Sequence, residues 1–141
     1  MREDTVAEVM ARHPVTISID SPVSEAAREM AQADVGAVVV LDDNGRVVGI
    51  CTDRDITVRV TAAKRGPETT VQEACTDRYL TAIAPDTLLT TAAAVMRANA
   101  VRRLPVLDAD RLVGVISLGD LAMDRDPDST LAEISAADPN R

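Results

Sequence analysis

Apolar positions along the chain change period in a fixed order, and that order occurs twice. Val23, Ala26, Ala27, Met30 and Ala33 fall at helical spacing and predict a helix over 23–33. A matching stretch predicts a second helix from Leu88 to Asn99. A short strand is expected before each, around Val15–Ile19 and Leu80–Ala84. After each come two β-branched runs, "AVVVLD" and "RVVGICT" around "DNG", then "RLPVLD" and "RLVGVIS" around "ADR". Asn-Gly between such runs is a hairpin signal, and the second copy predicts a tighter or altered turn. Further helices are expected to open at Thr5 and Thr70, each followed three residues later by Glu in the form of a capping box. Two more begin after Thr52 and Ser117.

The duplication extends to individual residues. Val6 and Glu8 correspond to Val71 and Glu73, and Asp20, Ala26 and Met30 to Asp86, Ala92 and Met96. Val48-Gly49 corresponds to Val113-Gly114, Thr52 to Ser117 and Asp55 to Asp120. The expected organisation is a first unit over 1–63, a linker over 64–70 with Gly66-Pro67 ending the helix before it, and a second unit over 71–124. An acidic tail follows over 125–141, where Thr130 and Glu133 predict one more short helix. A single unit would leave one face of a three-stranded sheet uncovered. Two units packed sheet to sheet, with helices outside, bury both faces. The expected fold class is therefore α/β in the α+β sense, one pseudo-symmetric body of two small three-stranded sheets with flanking helices.

Composition narrows the function. The chain has no Phe or Trp and a single Tyr, Tyr79, so its core is aliphatic and it offers no aromatic platform for stacking a base. A net charge of −8, with Lys64 as the only lysine, opposes binding to nucleic acid. No basic cluster points to a membrane surface, and no apolar run approaches spanning length. With no targeting signal at the N-terminus, the expected compartment is the cytoplasm, and two cysteines outside any CxxC frame fit it.

The repeated ending, "GICTDRDI" and "GVISLGDL", follows the pattern Gly-apolar-apolar-(Ser/Thr)-x-x-Asp-(Ile/Leu). With the helix–strand–helix–hairpin–helix order upstream, it resembles the cystathionine-β-synthase (CBS) domain, and the tandem resembles a CBS pair, or Bateman module. The resemblance covers roughly Thr5 to Met123, and no catalytic or transport domain accompanies it, as in stand-alone CBS-pair proteins. It implies a non-enzymatic regulatory module. Clefts between the units would hold an adenosine-containing ligand such as AMP, ADP, ATP or S-adenosylmethionine, and chains would associate as homodimers. It also implies that adenine lies near Thr16-Ile17 or Thr81-Ala82, and that Arg102 and Arg103 stand beside the phosphates.

The motif suits ribose and phosphate on physical grounds. Thr52 and Ser117 lie where a strand gives way to a helix, whose first N–H groups and partial positive charge favour an anion. Asp55 or Asp120, one turn in, can accept both hydroxyls of a ribose. The two units differ in charge: Gly36 and Ala37 align with Arg102 and Arg103, while Arg54 aligns with Gly119. Two arginines favour the second unit for a polyphosphate. Thr52-x-x-Asp55 and Ser117-x-x-Asp120 are equally well read as helix caps, worth about 1 kcal/mol each. Arg102 and Arg103 could also be solvated or dimer-contact residues, and Asp53 reads as a first-turn carboxylate favoured by the helix dipole.

Other chemistry is thinly supported. His13 precedes Pro14 and lacks neighbours that could complete a metal site. Cys51 reads as a small buried hydrophobe, and Cys75 as a first-turn residue whose pKa could be lowered. No obligatory cofactor, metal ligand or catalytic residue is expected. A ligand-free dimeric module recruiting an unidentified protein partner is the alternative to a nucleotide sensor. A small enzyme or a redox- or metal-responsive protein is the third reading.

Overall fold

The structure, a computed structural model, describes residues 4–75 and 81–125. In chain order the elements are α1 (Val6–Val9), β1 (Ala11–Arg12), β2 (Thr16–Ser18), α2 (Val23–Ala33), β3 (Ala37–Leu41) and β4 (Val47–Thr52). There follow α3 (Asp53–Ile56), continued by a π-helical turn over Thr57–Thr61, then α4 (Val71–Cys75), α5 (Leu89–Asn99), β5 (Arg103–Asp108), β6 (Arg111–Ser117) and α6 (Leu118–Arg125). The expected mixed fold with two three-stranded sheets is present, in the orders β2-β3-β4 and β1-β6-β5. Tyr79 and the helix expected near Thr130 and Glu133 lie outside the described residues.

The chain divides into two compact units, one of residues 15–80 and one of residues 1–14 with 81–141. These units are cut differently from the sequence repeat. Each short helix that opens a repeat packs with the strands and long helix of the other repeat. In the 15–80 unit, the N–H of Val71 donates to the carbonyl of Ser21 (2.8 Å) and that of Gln72 to Ile19 (3.0 Å). In the other unit, Val6 donates to Thr87 (2.8 Å) and Ala7 to Pro85 (2.9 Å). These loop carbonyls occupy two of the donors that a helix start otherwise leaves unpaired. The capping box expected at Thr5 is not formed: the Thr5 hydroxyl donates to the Glu8 carboxylate (3.3 Å), and the Glu8 N–H goes to the Thr5 carbonyl (3.1 Å). Thr70 does accept the N–H of Glu73 (3.3 Å), while the Glu73 carboxylate pairs with Arg65 (3.6 Å).

In the 15–80 unit β2 runs parallel to β3, and β3 antiparallel to β4. The apolar stripe of α2, Val23, Ala26 and Met30, closes over Ile17, Val38, Val40 and Cys51. The second unit repeats this with Leu89, Ala92 and Met96 of α5 over Leu104, Val106 and Ile116. The strand expected over Leu80–Ala84 is reduced to a single parallel bridge, Ile83 opposite Val106, with Leu80 outside the described residues. Ala82 and Ala84 flank Ile83 where Thr16 and Ser18 flank Ile17, and alanine holds strand geometry less well than threonine. The helical segment after Thr52 ends earlier than Gly66-Pro67: Lys64 takes a φ of 61° and Arg65 donates back to Val60 (2.9 Å). Among the described residues no helix is long and apolar enough to cross a membrane.

The two hairpins turn by different means. In the first, Asp42 Oδ1 accepts the N–H groups of Asn44 and Arg46, both at 2.9 Å, and only Gly45 is left-handed, with a φ of 77°. It is a three-residue loop with glycine at the left-handed position and not a two-residue Asn-Gly turn. The second is the tighter one: Asp108 pairs with Arg111, and Ala109 and Asp110 both have positive φ, at 47° and 71°. That is the backbone of a type I′ turn made without glycine or asparagine. Replacing Ala109-Asp110 by Asn-Gly should therefore stabilise the protein by about 1 kcal/mol. Thermal unfolding of A109N/D110G would read this as a raised midpoint, and an unchanged midpoint would refute it.

Candidate functional site

Both Asp-containing motifs are built as expected from local hydrogen bonds. In the 15–80 unit the N–H of Asp55 donates to Thr52 Oγ1 (3.1 Å), and the N–H of Thr52 donates to Asp55 Oδ2 (2.9 Å). In the other unit Asp120 donates to Ser117 Oγ (3.1 Å), and Ser117 to Asp120 Oδ2 (2.8 Å). Each is a reciprocal capping box with Asp in the usual place of Glu. Each leaves Oδ1 of the aspartate without a hydrogen bond among the described residues. Each hydroxyl, already an acceptor, retains its own O–H to donate.

The residues around the two caps differ as the repeat alignment requires. Arg103 pairs across the sheet with Ser117, and the carbonyl of Arg102 accepts the N–H of Leu118 (2.8 Å). Gly36 and Ala37 hold the equivalent places: Ala37 pairs with Thr52, and Gly36 accepts the N–H of Asp53 (3.0 Å). Two guanidinium-bearing residues thus flank the Ser117 cap, where the Thr52 cap has two small neutral ones. Arg102 is exposed and Arg103 half-buried. Arg54 and Asp53 both point to solvent at the start of α3, and Asp53 Oδ1 accepts the N–H of Arg54 (2.8 Å).

The residues expected near a base lie on or beside an edge of the sheet in their own unit. Thr16 and Ile17 belong to β2, which among the described residues pairs only with β3, so its outer edge there keeps main-chain groups without a strand partner. Thr16 is exposed and Ile17 buried beneath it. Thr81 and Ala82 are half-buried next to the Ile83 bridge, and the Thr81 hydroxyl contacts Asn99 Oδ1 at the end of α5 (3.4 Å).

One grouping in the 15–80 unit was not foreseen from the sequence. Cys51 of β4, Asp55 of α3 and Cys75 of α4 bring two sulfurs and a carboxylate oxygen within 4.8 Å of one another. Cys51 is fully buried, as expected, and Asp55 nearly so. Cys75 stands at the last position of α4 and not in a first turn, and its pKa moves opposite to the direction considered above. Hydrogen bonding with the Cys51 thiol pushes it up, followed by burial and by the negative charge available to Cys51 and Asp55; Arg59 opposes them. A thiol held in its neutral form is a poor nucleophile. The repeat carried a signal for this proximity, because the positions equivalent to Cys51 and Cys75 are Ile116 and Met10, which share one apolar cluster.

Comparison with known proteins accounts for both motifs together. The CBS domain family matches over residues 6–61 and again over 71–124. The CBS domain-containing protein YhcV of Bacillus subtilis is 36% identical over 121 residues, spanning 86% of this chain and 85% of that protein. A solved CBS-domain protein from Burkholderia ambifaria superposes with a TM-score of 0.80 at 30% identity, covering 90% of this chain and 97% of the other. A CBS-domain protein from Pyrobaculum aerophilum, solved in complex with AMP, gives a TM-score of 0.79 at 26% identity over 95% of this chain and all of the other. Two matched domains in one chain make it a CBS pair, a regulatory module, and the chain belongs to the CBS-domain family.

Proposed function

We propose that this CBS pair senses an adenine nucleotide, held in the unit formed by residues 1–14 and 81–125. The observation that carries the reading is the Ser117–Asp120 cap with Arg102 and Arg103 beside it. Asp120 Oδ1 accepts the ribose hydroxyls. The Ser117 hydroxyl donates to the phosphate, and the two arginines neutralise its charge. The base lies against the main chain near Thr81-Ala82. The AMP bound by the Pyrobaculum aerophilum relative supports this chemistry. The 15–80 unit, with Thr16, Ile17, Thr52, Arg54 and Asp55, offers the same ribose contacts but only one arginine, so it is the weaker nucleotide position.

Two arginines favour AMP, ADP or ATP over S-adenosylmethionine, whose sulfonium they repel. With aliphatic side chains alone to enclose the base, affinity is modest. Regulation follows from whichever state of the pair binds better, because a ligand shifts an equilibrium only by its differential affinity. The test is thermal unfolding with AMP, ADP, ATP, S-adenosylmethionine and NADH added separately at millimolar concentration. A nucleotide at one hundred times its dissociation constant should stabilise the fold by about 2.7 kcal/mol. A midpoint that no adenine nucleotide moves would refute the proposal.

A further inference from the structure

The grouping of Cys51, Asp55 and Cys75 lies in the 15–80 unit, apart from the Ser117–Asp120 site, and a metal ion there would compete with the weaker nucleotide position for Asp55. Two thiols and a carboxylate converge under the start of α3, with their ligand atoms within 4.8 Å of one another. Tetrahedral zinc with ordinary Zn–S bonds separates two ligand sulfurs by about 3.8 Å, so a small rotation of side chains suffices to close on an ion. All three residues are anchored by different elements, β4, α3 and α4, and Asp55 is fixed in place by the Thr52 cap. The cap uses Asp55 Oδ2 and leaves the other oxygen for a further partner.

The second unit shows that the fold does not need these thiols. Its Asp120 makes the same cap, yet Ile116 and Met10 stand where Cys51 and Cys75 stand, and both pack in the apolar cluster. An aliphatic pair therefore fills that space in one unit, and a sulfur pair faces the same carboxylate in the other.

We propose that Cys51, Asp55 and Cys75 form a binding site for a thiolate-preferring divalent cation of the zinc class. Binding releases the two thiol protons and leaves two thiolates and one carboxylate on the ion, with a fourth position open to water. Cys51 is sealed from solvent and Cys75 is not, so the ion enters past Cys75. The bound ion ties α4 to the β4–α3 junction, three elements otherwise joined by side-chain packing.

Cobalt(II) is the probe, because two cobalt–thiolate bonds give near-ultraviolet charge-transfer absorption and tetrahedral coordination gives intense visible bands. The protein is first reduced, and two free thiols are counted under denaturing conditions. The expected result is one cobalt per chain with both sets of bands, bleached by a slight excess of zinc. The double variant C51I/C75M carries the residues that the second unit uses and should fold while giving no charge transfer. Cys75→Ser, the milder change at the more accessible thiol, should weaken binding at least tenfold and remove half of the charge-transfer intensity. The inference is overturned if fully reduced wild-type protein gives no thiolate–cobalt band. It is equally overturned if Cys75→Ser binds cobalt as the parent does.

Discussion

Asp120→Ala should unfold at a slightly lower temperature than the parent protein and lose nearly all of its response to AMP. Two separate contributions produce these effects. The carboxylate closes the cap with Ser117, and losing an N-terminal cap costs about 1 kcal/mol. Its free oxygen is the ribose acceptor, and a hydrogen bond to a charged group contributes about 1.5–3 kcal/mol, or roughly 10–100-fold in affinity. Asp55→Ala is the control, since it removes the same cap from the other unit. That variant should also be destabilised, yet keep the full AMP-induced shift. If Asp120→Ala keeps the shift too, Asp120 is a cap and nothing more. Titration of AMP against all three proteins by calorimetry, beside their unfolding midpoints, separates the cases.

What could be read from sequence divides by the range of the interactions. The caps at Thr52 and Ser117 were legible because all of their atoms lie within four residues. So were α2 and α5, whose buried positions follow a helical period, and the hairpins, whose turns join adjacent strands. The aligned pairs Gly36/Arg102 and Ala37/Arg103 hold equivalent places in the two sheets, as the repeat implied. The partners of α1 and α4 were not legible. Val6 bonds to a carbonyl at Thr87, and neither periodicity nor capping pattern specifies a contact at that separation. Cys75 was misjudged for the same reason: its surroundings depend on where α4 packs. Only against β4 and α3 does it meet Cys51 and Asp55.

The glycines of the repeated motif should respond in opposite ways to the same substitution. Gly49 and Gly114 occupy one motif position, and both begin the run into a capped helix. A Cβ on Gly114 would lie 2.8 Å from the carbonyl oxygen of Ala11 and 2.6 Å from Met10 Sδ. Met10 can swing away, but the Ala11 oxygen is backbone of β1, held against β6 by the pairs Ala11–Val115 and Arg12–Gly114. Relieving the overlap means pushing β1 off β6 or bending the central strand of that sheet. Gly114→Ala should therefore cost about 1–3 kcal/mol, the range for an overpacked interior. The midpoint of unfolding should fall by about 4 °C for each kcal/mol. Among the described residues nothing lies within 4 Å of a Cβ on Gly49. Gly49→Ala gains the lower backbone entropy of alanine in the unfolded chain, worth a few tenths of a kcal/mol, with no overlap to offset it. Thermal and denaturant unfolding of the two variants side by side decides the matter. Equal losses would mean that the motif glycine serves strand geometry in both units. A loss confined to Gly114→Ala would mean that it makes room for the segment crossing over from the start of the chain.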